Sequence, residues 1–345
     1  MPSTVGAVSL PDEIIFDILT RVPVNSACRF RCVSREWDAL ISGPDFVAAH
    51  KSRHAEPLVA VYSFREEPSK GIELRLVDID GNVVRETKVA DGGGRSKLPH
   101  HHLLCARDDC PGAYLVDPAT GDVLVSCACP RVSSLVMCFG RAVPSGAYKV
   151  VRLGGGERCQ VLTLREVAGW RLMRNPPNHV MLYPDTATIV NGILHVLARA
   201  GMINCFDLES EEWTRTIEGP QNADLWGKTT NIVRVAELNN LLCMVQSEDR
   251  LINIWLLTDS ENGAWVNAYR ISKAPQTYFY MPLRMTHDGR RLLFQCSLYR
   301  RRAYAIRSYD AWTNTCTDVT ETPDGLASKI GLCNLHLESF ISKKI

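Results

Sequence analysis

"TIVNGILHVLA", residues 188–198, sets two short apolar runs rich in β-branched side chains around the dipeptide Asn191-Gly192. A two-residue hairpin turn needs positive φ at both central positions, which asparagine and glycine tolerate best, so the stretch reads as a β-hairpin. The next stretch, "INCFDLESEEWTRTI" (203–217), gives a strand, a polar turn and a second strand. Together they make a four-stranded antiparallel unit.

The same devices recur along the chain. Hairpin turns are expected at Asn239-Asn240 in "VAELNNLLCMV" and at Asp288-Gly289 in "THDGRRLLFQC". Strand, turn and strand recur in "IELRLVDIDGNVVRETKV", "AYLVDPATGDVLVS", "CQVLTLREVAGWRLM", "INIWLLTDSENGAWVNAYRI" and "YAIRSYDAWTNTCTDV". Six such units at intervals of roughly 40 to 50 residues match the scale of a propeller blade. Trp170, Trp213, Trp265 and Trp312 open or precede the last strand of their units and are expected to pack between blades. The first unit lacks an inner strand, while "LCNLHLESFIS" near the C-terminus is a strand without a partner. A closed ring satisfies both and removes exposed sheet edges. The expectation for residues 56–345 is therefore a six-bladed β-propeller, with a two-sheet β-sandwich as the alternative.

Residues 9–53 read differently, and residues 1–8 are expected to be a disordered lead-in. Ser9, Pro11, Asp12 and Glu13 suit the start of a helix. Ile14, Ile15, Ile18, Leu19 and Val22 then form a wide apolar stripe that Pro23 ends. A second helix is expected over Val24–Cys32, and Ser34 can cap a third, "REWDALI". "GPDFVAAHK" restarts a helix at Pro44. So small a helical head buries little surface by itself, and an amphipathic stripe of this kind suits a groove on a partner. The fold class is α+β, a short helical head before an all-β body.

A formal net charge of +1 over 345 residues gives no field that recruits nucleic acid or an anionic membrane. No apolar run approaches a membrane span, and the N-terminus lacks the basic and apolar regions of a secretory signal. Thirteen cysteines in no compact framework, with no Asn-x-Ser/Thr acceptor, suit a reducing compartment, cytoplasmic or nuclear. "DGGGRSK" (91–97) and "LGGGERC" (153–159) lack phosphate-loop spacing. His100 to Cys105, Cys110, Cys127 and Cys129 could bind metal, but no CxxC pair or four-ligand spacing occurs. Cys205, Cys243 and Cys296 read as small buried hydrophobes. No catalytic residue, cofactor or metal is expected.

"LPDEIIFDILTRVPVNSACRFRCVSREWDALIS" (10–42) resembles the F-box along its whole length, through Leu10-Pro11, the block ending at Val22-Pro23, "RFRCVS" and Trp37. "YLVDPATG", "YKVVRL", "LNNLLCMV" and "INIWLLTD" resemble the F-box-associated domain of plant F-box proteins, a kelch-type propeller. The resemblance implies a three-helix motif that binds a Skp adaptor and, through it, a cullin–RING ubiquitin ligase. By position, Leu10, Pro11, Ile14, Ile18, Leu19, Val22 and Pro23 would contact the adaptor, while Val33 and Trp37 would hold the helices together. Val22 stands where Leu is usual, and Ala27 where a larger aliphatic is common. The implied role is the non-catalytic substrate-recruiting subunit of an SCF-type ligase, with an unidentified protein substrate. The alternatives are a propeller hydrolase or lyase, and an F-box protein in a non-ligase role.

In up-and-down blades, connections between blades and second-to-third-strand loops share one face. The connections carry Tyr183, Trp226, Tyr278, Phe279 and Tyr280, and the loop "LYRRR" adds Tyr299, Arg300, Arg301 and Arg302. Tyr, Trp and Arg are enriched at interface hot spots. This aromatic and basic face is the expected receiver of an acidic or mixed-charge protein segment.

Overall fold

In the computed structural model Asn191 and Gly192 take φ of 49° and 82°, and Asn239 and Asn240 take 53° and 61°. Both hairpins thus turn as their sequences require. The structure describes residues 10–22, 27, 29–54, 57–65, 71–90, 103–106, 112–116, 123–128, 135–154, 158–164, 169–183, 185–220, 232–274, 277–286, 289–298, 304–321 and 328–336. The chain divides into two compact units, Met1–Pro57 with Leu335–Ile345, and Leu58–Asn334.

The first unit holds α1 (Asp12–Leu19), α2 (Arg35–Ser42) and α3 (Pro44–His54). Ser34 caps α2 as expected, its Oγ accepting the Trp37 N–H at 3.1 Å. Leu19, Ala27, Ile41 and Phe46 form the core, with Ile15, Phe16, Phe30 and Trp37 packed against it. Phe16 meets Phe46 and Phe30 meets Trp37 edge-on, with centroids 5.6 and 5.8 Å apart. The buried His50 hydrogen-bonds the Val22 carbonyl through Nε2 at 2.8 Å. No helix among the described residues is long and apolar enough to cross a membrane.

The second unit is a β-propeller. One sheet contains β1 (Pro57–Arg65), β2 (Gly71–Val77) and β3 (Val83–Ala90). β4 (Leu103–Ala106), β5 (Gly112–Val116) and β6 (Val123–Ala128) form a three-stranded sheet. Next come β7 (Leu135–Arg141), β8 (Tyr148–Gly154), β9 (Arg158–Thr163) and β10 (Arg171–Leu172). They are followed by β11 (Ala187–Val190), β12 (Ile193–Leu197), β13 (Met202–Asp207) and β14 (Glu212–Glu218). β15 (Ile232–Leu238), β16 (Leu241–Ser247), β17 (Leu251–Asp259) and β18 (Ala264–Ser272) make another blade. β19 (Thr277–Met285), β20 (Arg291–Leu298), β21 (Tyr304–Asp310) and β22 (Thr315–Glu321) make the last in sequence. β23 (Ser328–His336) then returns to the first sheet, giving the order β23-β1-β2-β3. The strand left over in the sequence thus completes the first blade. Against the six blades expected, five sheets have all four strands and β4–β6 has three among the described residues. The described strands do not form the alternative two-sheet sandwich.

Burial explains the sequence pattern. β12, β13, β16 and β20 are buried on both faces between neighbouring blades, so they read as continuous apolar runs. The outer strands β14 and β22 are mostly exposed and polar. Val151 and Leu153 of one blade meet Leu194 and Phe206 of the next, and Leu197 and Ile203 meet Val233 and Val235. Val245 and Ile254 meet Tyr280 and Phe294, while Leu283 and Ile306 meet Val59 and Val77 across the ring closure.

Four of the third-to-fourth-strand turns are held by an aspartate. Asp78, Asp207, Asp259 and Asp310 accept the backbone N–H two residues on at 2.9 to 3.0 Å. Gly81, in the first of these turns at φ 90°, faces the Val319 carbonyl, which a Cβ would approach to 2.3 Å. Trp213 and Trp265 latch blade to blade, donating from Nε1 to the carbonyls of Arg174 and Glu218 at 2.9 and 2.8 Å. Trp170 instead lies under the Arg152 guanidinium at 4.2 Å. Trp312 departs from the expectation. It sits inside the Asp310 turn, ahead of β22, and is 83% exposed.

A charged latch joins the β7–β10 and β11–β14 blades. Glu211, in the turn before β14, meets Lys149 Nζ at 2.8 Å and also pairs with Arg171. Burial acts to raise the Glu211 carboxyl, but hydrogen bonds and charge from Lys149 and Arg171 outweigh it and hold the group below its ordinary value.

Candidate functional site

On α1 the wide stripe splits into two flanks, because residues four apart share one line of a helix. Ile15 and Leu19 turn into the core, and Leu19 is only 2% exposed. Ile14 and Ile18 form the other flank and stay about half exposed, as does Leu10 just ahead of the helix. Pro11 is exposed and stands at the helix N-cap without a side-chain cap, and Val22 is half-buried. Pro23 lies outside the described residues. Leu19, expected at the adaptor, is therefore a core residue, because its line of the stripe is already satisfied by Ala27, Ile41 and Phe46.

Val33 departs in the opposite direction. Expected in the core, it is 61% exposed, because it sits in the turn at 31–33 where no helical repeat aims it inward. Trp37 packs against the core as expected.

On the second unit, the connections between blades lead into the starts of the inner strands β11, β15 and β19. Tyr183 is 57% exposed just before β11, and Tyr278 is 39% exposed at the second residue of β19. Phe279 and Tyr280, expected on the same face, are buried instead. They already belong to β19, where Tyr280 packs edge-on against Phe294 and its hydroxyl accepts from Ala274 N–H and Arg307 at 3.0 and 3.1 Å. Trp226, Tyr299, Arg300, Arg301 and Arg302 lie outside the described residues.

Arg234, at the start of β15, was not singled out by its sequence. Its guanidinium carbon lies 5.8 Å from the Phe279 ring centroid, and its charge couples to Asp185, Tyr278 and Tyr183. Burial lowers its pKa, against the opposing pull of those three groups. The Asp185 carbonyl accepts the Val235 N–H at 3.0 Å, which fixes the Tyr183 segment beside β15. Thr186 Oγ1 anchors the same segment, donating to the Met181 and Tyr183 carbonyls at 2.6 and 2.7 Å. Cys138 on β7 lies near the same carboxylate; burial first, and Asp185 second, push its thiol up to about 12. The described face thus holds a half-buried guanidinium, with a carboxylate and two exposed tyrosines near enough to couple to its charge.

Cys205, Cys243 and Cys296 are buried as expected. No group of three metal-capable side chains occurs among the described residues, and His100–102, Cys110 and Cys129 lie outside them.

Comparison with known proteins adds two matches. Residues 101–332, about two-thirds of the chain, match the F-box associated beta propeller domain, and residues 8–48 match the F-box domain. The chain is 23% identical to F-box protein At2g21930 of Arabidopsis thaliana, covering 91% of this chain and 86% of that relative. It is 24% identical to F-box protein At5g18160 of the same plant, covering 74% and 69%. It is 25% identical to the putative F-box protein At3g52320, covering 75% and 72%.

Proposed function

Since this chain belongs to the F-box-associated β-propeller family and carries an F-box ahead of the propeller, we propose that it is the substrate-recruiting subunit of an SCF-type ubiquitin ligase. The observation that carries the reading is the half-exposed flank of Leu10, Ile14 and Ile18 on an otherwise packed helical head. An apolar flank left open on a small head is stabilised by docking on a partner, here the Skp adaptor and through it a cullin–RING ligase.

In this reading residues 9–53 are the adaptor-binding domain and residues 56–345 the target-binding domain, with the β4–β6 sheet as its sixth blade. Leu10, Pro11, Ile14, Ile18, Val22 and Pro23 contact the adaptor. Tyr183 and Tyr278, together with Trp226 and Tyr299–Arg302, receive the target protein. The subunit contributes proximity and orientation, not a catalytic group. It holds target lysines near a charged conjugating enzyme, converting an encounter between two proteins into a reaction within one assembly. It works in the cytoplasm or nucleus.

The test is reconstitution of the full chain with purified Skp adaptor and a cullin–RING core. A stoichiometric complex on size exclusion, lost with Ile14→Asp/Ile18→Asp while the propeller melt is unchanged, supports the reading. Failure of the unaltered chain to bind the adaptor refutes it.

A further inference from the structure

Arg234 carries a guanidinium donor that its surroundings leave unsatisfied. A guanidinium carries five N–H donors in a planar fork and stays protonated in proteins. Among the described residues, its one hydrogen bond runs from Nη1 to the carbonyl of neighbouring Val233, at 2.9 Å. Nε is buried without an acceptor, and Asp185 acts on the group through charge alone. Burying a guanidinium N–H and leaving it without an acceptor is costly, so such a group marks a place where a partner supplies one.

The surroundings select the acceptor. Phe279 backs the guanidinium at 5.8 Å and itself packs edge-on with Tyr278, centroids 6.0 Å apart. The exposed Tyr183 and Tyr278 couple to the same charge, and each carries a phenolic O–H. Planar N–H donors with hydroxyl donors around them match an oxyanion, which has several lone pairs and takes charge-assisted bonds. Val233 and Val235 on either side of Arg234 are buried against the preceding blade, so the strand that carries the charge is fixed.

We propose that Arg234 is the specificity residue of the target-binding face, and that the captured segment presents an oxyanion to it between Tyr183 and Tyr278. The oxyanion is an acidic side chain, a chain-terminal carboxylate or a phosphorylated hydroxyl. The inference rests on the reading of that face as the target site, and it names what the face recognises.

The experiment uses the full chain bound to its adaptor and an array of short random peptides in matched forms. One form carries Asp and Glu, a second carries Asn and Gln in their place, and a third carries phosphoserine for serine. Each is made with a free and an amidated C-terminus. The expected result is binding about tenfold to a hundredfold tighter for one oxyanion form over its neutral match, the range of one charge-assisted hydrogen bond. Which form wins identifies the source. Arg234→Gln abolishes the preference, and Arg234→Lys, which keeps the charge but loses the fork, retains part of it. Equal binding of charged and neutral forms by the unaltered protein overturns the proposal and needs no variant to be folded. So does an Arg234→Gln protein with its preference intact. If Tyr183→Ala/Tyr278→Ala loses peptides while Arg234→Gln keeps them, the face stands and this inference falls. If neither changes capture, the face falls too.

Discussion

The two flanks of α1 predict two different failures from substitutions one residue apart. Ile14 and Ile18 are each about half exposed, so about half their area remains to be buried by a partner. Full burial of such a side chain is worth about 1.5 to 3 kcal/mol, leaving about 1 kcal/mol at each position for binding. Ile14→Ala/Ile18→Ala should therefore weaken the adaptor complex by about 2 kcal/mol, roughly thirtyfold, with α1 still folded. Leu19→Ala instead opens a cavity beside Ala27, Ile41 and Phe46, at a cost of about 2 to 5 kcal/mol to a head whose small core cannot absorb it. Calorimetric titration with the adaptor reads the first effect, and hydrogen exchange at the amides of residues 12–19 reads the second. Full amide protection in Leu19→Ala together with weakened binding would put Leu19 at the interface and refute the division. Unchanged affinity in the double variant would refute it from the other side.

Two further outcomes follow from charge and burial in the propeller. Burial lowers the His195 imidazole from 6.5 to about 4, so the folded state resists a proton that the unfolded chain accepts below pH 6.5. Stability should then fall by about 2 kcal/mol between pH 7 and pH 5, and His195→Gln should remove that fall in urea titrations; an unaltered slope would show that His195 is not the group responsible. Glu211 is held below its ordinary value, so its contribution is present above the unfolded carboxylate range and lost as pH drops through the folded value. Glu211→Gln leaves the buried Lys149 without its countercharge and should cost about 3 kcal/mol at pH 7 while flattening the acid limb; a variant as stable as its parent would mean the latch contributes nothing.

Much of the propeller is legible because its turns demand particular residues. Asn191-Gly192 and Asn239-Asn240 could be read as turns from backbone chemistry alone, and Ser34 as a cap in the same way. Periodicity, by contrast, gives the width of the α1 stripe without saying which flank faces home, so Leu19 and Ile14 read alike. The segment before β19 looks like a loop because of its proline and aromatics. Once the strand begins at Thr277, its first residues alternate, and Phe279 goes inward beside exposed Tyr278. Arg234 was missed because a charge between two valines in "IVRVAEL" reads as the solvent side of a strand. Only the packing of neighbouring inner strands shows that this side is half-buried. The aspartates that end the third strands were visible in "VDIDG", "FDLES", "TDSEN" and "YDAWT", but their shared role emerges from the hydrogen bonds.

The return of β23 to the first sheet sets a schedule for synthesis. β1 ends at residue 65 and its partner begins at residue 328, so the pairing waits for every strand between them to leave the ribosome. Bringing together strands separated by that length costs roughly 5 kcal/mol of chain entropy, which makes closure a late step. The helical head needs only local contacts and emerges before the propeller. In the proposed role, a nascent or prematurely terminated chain would therefore offer Ile14 and Ile18 to an adaptor before any ring exists to hold a target. Such a product would occupy adaptor without delivering substrate, which makes the final strand a checkpoint on the quality of the whole molecule.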